Sequence, residues 1–79
     1  MVVHLGMVSR FDAARGLGEI HAGEADYAFQ CTAISDGTRQ IDEGAAVAFV
    51  LLPRPGGALE AGEVTKLSPP SGLPGQPGA

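Results

Sequence analysis

The chain has no tryptophan, one tyrosine and three phenylalanines among its 79 residues, so any core must be built mainly from aliphatic side chains. A single cysteine excludes an internal disulfide, and no spaced Cys/His set of the C-x-x-C or H-x-x-x-H kind is present to hold a metal. Five Lys and Arg against nine Asp and Glu give a formal charge of −4. That balance argues against indiscriminate phosphate binding, which rewards clustered cations through counterion release. The longest apolar run, Ala45 to Leu52, falls far short of the ~18 residues of a membrane span. Met1 to Leu5 lacks a charged n-region followed by an apolar signal core. A soluble cytoplasmic protein is the expectation.

What is present is glycine, twelve residues of it, placed with Asp-Gly and Pro-Gly turns between short apolar runs. This is the punctuation of a small all-β barrel or sandwich. Five strands are expected: Leu5 to Phe11, Leu17 to His21, Ala25 to Cys31, Ala46 to Leu52, and Ala58 to Leu67. Gly23-Glu24 should close a hairpin between the second and third. In the fourth, Val47, Phe49 and Leu51 form one apolar face, and the alternate face, Ala46, Ala48 and Val50, is apolar enough to be partly covered. Pro53 to Gly57 reads as a loop, since two prolines lack ladder donors, and Gly62 as a bulge or a point of close approach. Residues 1–67 make one domain. Residues 68–79 are rich in Pro, Gly and Ser and are expected to be a disordered tail, its Pro74-Gly75-Gln76-Pro77 a solvated spacer.

Two neighbouring segments carry more than composition: Arg15-Gly16-Leu17-Gly18-Glu19-Ile20 and Asp26-Tyr27-Ala28-Phe29-Gln30-Cys31-Thr32-Ala33-Ile34. They resemble the cold-shock family's K-G-F-G-F-I and D-V-F-V-H-F-S-A-I. The likeness extends through Gly6-x-Val8 and Phe11-Asp12, through Asp42-Glu43-Gly44-x-x-Val47-x-Phe49, and ends at Val64-Thr65-x-Leu67. The resemblance implies a five-stranded antiparallel barrel of the OB type that presents one sheet face to single-stranded RNA or DNA. Carried over position by position, that face comprises Ser9, Arg10, Phe11, Arg15, Leu17, Glu19, Ala28, Gln30, Cys31 and Thr38.

The departures from the family fall almost wholly on that face. Arg10 stands where the family usually has Trp, Leu17 and Glu19 replace two Phe, and Ala28, Gln30 and Cys31 replace Phe, His and Phe. Base-on-aromatic stacking is worth about 1–3 kcal/mol per base, so losing four or five platforms forfeits roughly 5–15 kcal/mol if additive. Micromolar binding totals only about 8 kcal/mol. Strand binding is therefore expected to be weak and salt-sensitive. It would rest on Arg10 and Arg15, whose guanidinium planes stack on bases and attract phosphate. Glu19 opposes them, and is expected to sit across the first two strands from Arg10 as an exposed ion pair.

The alternative is a repurposed barrel in which Leu17, Ala28, Cys31 and Thr38 form a patch for a protein partner or a second copy. Cys31 is expected to point outward as a small replacement for an aromatic, with neither His4, ahead of the first strand, nor His21 placed to activate it. No enzyme, cofactor or metal is implied. Gly16-x-Gly18 lacks the helix and the Lys-Ser/Thr of a phosphate loop, and Asp42-Glu43-Gly44 reads as a turn.

Overall fold

The computed structural model describes residues 2–67. Five strands, β1 (His4–Asp12), β2 (Leu17–Ala22), β3 (Ala25–Gln30), β4 (Ala46–Pro53) and β5 (Leu59–Lys66), close into a barrel in the order β1-β2-β3-β5-β4. The expected tail, with its P-x-x-P, lies outside the described residues.

Alternation in the sequence becomes an inside and an outside. Val8, Ile20, Phe29, Ile34, Ile41, Val47, Phe49, Ala61 and Val64 pack as one core, each strand contributing at least one. Aliphatics dominate because only Phe29 and Phe49 among the aromatics are fully buried; Tyr27 and Phe11 pack against the cluster from its rim. Burying a Val, Ile or Phe side chain in this cluster stabilises by about 1.5–3 kcal/mol.

The β2–β3 hairpin turns through Gly23-Glu24, with Ala22 opposite Ala25 and Gly23 at φ 64°. A positive φ at the first central residue alone is the pattern of a type II′ turn, whose twist matches that of the flanking strands. Near the other end of the chain, a Cβ on Gly62 would lie 2.5 Å from Leu52 Cδ1, which makes this glycine the expected point of close approach. The bulge falls one residue further on. Between Ala48↔Thr65 and Val50↔Gly62, β5 carries an extra residue, and Glu63 there adopts φ 47°. The register shift also turns Val50 inward, so the second face of β4 is covered at its far end: Val50 is 7% exposed, whereas Ala46 is exposed.

Several local expectations are corrected. The barrel is mixed, since closure brings β5 alongside β3 in parallel at Ala28↔Glu60, a pairing no hairpin signal can announce. His4 opens β1, where it pairs with Phe49 and stacks on its ring at 5.6 Å between centroids. Pro53 is the last paired residue of β4, opposite Leu59, a strand end being the place where a missing donor is tolerated. The turn follows at Pro55–Gly57, closed by Arg54 N–H donating to Ala58 O at 2.8 Å. Cys31 does not point outward from the end of β3. It begins a 3-10 turn, Cys31–Ala33, is partly buried and packs against the core, because its N–H donates to Gly16 O at 2.8 Å and draws the chain across the barrel end.

Candidate nucleic-acid interface

The site is built on the outer surface of β1, β2 and β3. Register lays out three parallel rows across these strands. Arg10 faces Glu19, which faces Ala28; Phe11 faces Gly18, which faces Phe29; Asp12 faces Leu17, which faces Gln30. A bulge in β1 between Val8 and Arg10 shifts the alternation and aims Arg10 outward beside Glu19. Ser9, at the bulge, is exposed and its hydroxyl donates to Glu19 O at 3.2 Å.

The middle row explains why Gly18 cannot be another residue. A Cβ there would meet Phe29 Cζ at 2.6 Å and Arg10 O at 2.7 Å. Without it, the Phe29 ring passes beneath the strand and stacks on Phe11, centroids 5.9 Å apart and planes inclined by only 9°. Phe11 is thereby held half-buried by an internal partner, and remains the one aromatic of the predicted face that borders open space.

That open space is a cavity of about 410 Å³ lined by Arg10, Phe11, Asp12, Arg15, Leu17, Gly18, Glu19, Ala28, Phe29 and Glu43. Six of the ten residues expected from the sequence converge on it: Arg10, Phe11, Arg15, Leu17, Glu19 and Ala28. Gln30 is exposed on the adjoining row, opposite Leu17. Cys31 is drawn into the barrel end, as described. Thr38 lies elsewhere, in a separate cavity of about 350 Å³ with Gln40, Ile41, Asp42, Ala45 and Lys66.

Asp12, Gly18, Phe29 and Glu43 line the first cavity without having been singled out for it. Asp12 is half legible, since the Phe11-Asp12 motif places it at the end of the first strand. Glu43 is not: its carboxylate reaches back across 32 residues to accept Phe11 N–H at 3.3 Å, a contact only barrel closure creates.

Electrostatically the cavity sets two arginines against three carboxylates. Arg10 Nη2 stands 3.6 Å from Glu19 Oε2, the expected ion pair, with side chains 74% and 41% exposed. An exposed pair of this length contributes about 0–1 kcal/mol. Asp12 is spent on its own turn, accepting from Ala14 N–H and Arg15 N–H. Among the described residues Arg15 enters no salt bridge, which leaves it as the free cation of the cavity.

The Thr38 cavity is organised by Asp36. Lys66 Nζ lies 2.9 Å from Asp36 Oδ2, and Thr38 donates both its N–H (2.9 Å) and its hydroxyl (2.8 Å) to Asp36 Oδ1. The lysine first, and then the Thr38 donors, hold the Asp36 carboxyl down at a pKa of about 2. Among the described residues no three His, Cys, Asp or Glu gather as a metal site, and no helix is long and apolar enough to cross a membrane.

No protein-family model and no curated protein matches this chain. Among solved structures the barrel is similar to the Drosophila Unr cold-shock segment CSD456, with a TM-score of 0.73 at 24% identity. The match covers 89% of this chain and 29% of that one, so the chain spans under a third of the Unr segment's length. The fold is that of a cold-shock domain.

Proposed function

We propose that this cold-shock barrel is a binding module for single-stranded RNA or DNA, weak and salt-sensitive, acting through the β1-β2-β3 face. The observation that carries the proposal is the cavity itself. Arg10, Phe11, Arg15, Leu17, Glu19 and Ala28, scattered over nineteen positions of the chain, converge on a recess large enough for a nucleobase. Phe11, backed by Phe29, supplies one stacking surface, Leu17 an apolar wall, and Arg15 an unpaired charge for phosphate. Ser9 and Gln30 flank it on the neighbouring rows; Cys31 and Thr38 would act only from the periphery.

One stacking platform and one free cation in a recess of net negative charge support weak binding, with Kd in the high micromolar to millimolar range. Few phosphate contacts imply a shallow absolute affinity but still a loss with added salt. An amide-resolved NMR titration with short pyrimidine-rich strands tests this. Shifts at Ser9 to Phe11, Arg15 to Glu19 and Ala28 to Gln30 that fade with salt are expected; no shifts at millimolar strand would refute the proposal.

A second reading, docking of a protein partner or a second copy, has one observation in its favour. It does not lie on the patch of Leu17, Ala28, Cys31 and Thr38, of which Thr38 lines a separate cavity. Leu5 and Met7, 68% and 47% exposed, run along the outside of β1 opposite Ala48 and Ala46 of β4. Association through this strip would be insensitive to salt, and sedimentation across a range of protein concentrations distinguishes it.

A further inference from the structure

The geometry points to a base preference opposite to that of a plain stacking surface: we infer that Glu19 reads the donor edge of guanine, making the cavity a guanine-selective subsite on the strand. This rests on the proposal that the face binds single strands at all.

Three observations lead there. First, Glu19 sits in the middle strand, at the centre of the Arg10–Glu19–Ala28 row, with alanine as its neighbour on one side, so nothing on β3 covers it. Second, its carboxylate is held only by one ion pair with Arg10. The Arg10 contact is long, 3.6 Å to one oxygen, and among the described residues no group donates a hydrogen bond to either oxygen. Glu43 and Asp12, the other two acids of the cavity, accept backbone N–H groups at 3.3 Å and at 3.1 and 3.2 Å respectively. Third, Arg15 lines the same cavity and has no salt-bridge partner among the described residues.

An ionised carboxylate can only accept hydrogen bonds, so a base that it recognises must bring donors. Uracil and thymine offer a single N–H between two carbonyls, whose oxygens a carboxylate repels. Cytosine and adenine each offer one amino group. Guanine alone presents two adjacent donors, N1–H and N2–H₂, which both oxygens of one carboxylate accept together, while its O6 and N7 on the far side are the acceptors an arginine fork takes. Glu19 and Arg15 on the walls of one recess, with Phe11 available to the ring face, match that distribution of donors and acceptors. Glu19, which looks like damage to a stacking surface, thus becomes its specificity determinant.

The test compares fluorescence-labelled hexamers at low salt: all-uridine, the same strand with one central guanosine, and the same strand with inosine there, which keeps N1–H and lacks the N2 amino group. The guanosine strand is expected to bind about tenfold tighter than all-uridine, with inosine losing most of that gain. Glu19→Gln should abolish the affinity difference between the guanosine and all-uridine strands, and circular dichroism checks that the barrel is intact. Equal affinity for the three strands, or a guanosine preference that survives Glu19→Gln with circular dichroism showing the barrel intact, would overturn the inference and leave strand binding standing. Failure of every strand to bind at millimolar concentration would overturn both.

Discussion

Replacing Leu17 by Phe restores one stacking platform without altering charge, and so isolates the term on which the weak-binding argument depends. Leu17 is 43% exposed, lies between Asp12 and Gln30 in register, and borders the cavity, so a phenyl ring at this position has open space in front of it. The fold should hardly notice: an exposed strand position accepts an aromatic readily, and surface changes of this kind stay within about 0.5 kcal/mol. Binding should respond strongly. One base stacked on an aromatic contributes about 1–3 kcal/mol, which at 25 °C lowers Kd by about 5- to 150-fold. Fluorescence anisotropy with an all-uridine hexamer at two salt concentrations reads both quantities. The affinity should rise while the slope of log K against log salt stays constant, because no phosphate contact has been added. An intact variant whose Kd moves less than twofold would refute the reasoning, showing either that bases do not lie over Leu17 or that the strand uses another face.

Three other outcomes follow from the same geometry. Arg15→Ala should weaken the all-uridine strand and reduce the magnitude of its salt slope by about 0.7, the value for one single-strand phosphate contact, and should cost the guanosine strand more still, as measured by anisotropy over a salt series. Gly18→Ala places a methyl 2.6 Å from the buried Phe29 ring and 2.7 Å from Arg10 O, neither of which can yield cheaply. It should cost about 1–3 kcal/mol and lower Tm by roughly 5–20 °C in calorimetry, with loss of the Phe11–Phe29 stack. Asp36 has its pKa lowered from 3.8 to about 2, so its pairing with Lys66 and Thr38 stabilises the fold above pH 4 and is lost as pH falls through that interval. Urea midpoints between pH 5 and pH 2 should therefore drop less steeply in Asp36→Asn than in the parent.

Of the candidate face, the sequence showed what can be carried by local order. The glycine motif and the hairpin put residues 17, 19, 28 and 30 on one surface, since alternation and a two-residue turn leave no other register, and the Arg10–Glu19 pair follows from that register. Thr38 and Cys31 were misplaced because each depends on where the chain goes after β3. Cys31 is captured by the Gly16 carbonyl, and Thr38 by Asp36 and Lys66, a contact between residues 28 positions apart.

By itself the sequence determined that this is an all-β chain with five strands, an aliphatic core and a face stripped of aromatics, because strand period, turn chemistry and side-chain type are local properties. Only the tertiary structure decided how the barrel closes, with β5 parallel to β3, and which groups meet once it has. Closure brings Glu43 to the backbone of Phe11 and so completes the recess that Arg15 and Glu19 line. The Glu43 contact joins residues 32 positions apart, and no short window of sequence contains both partners.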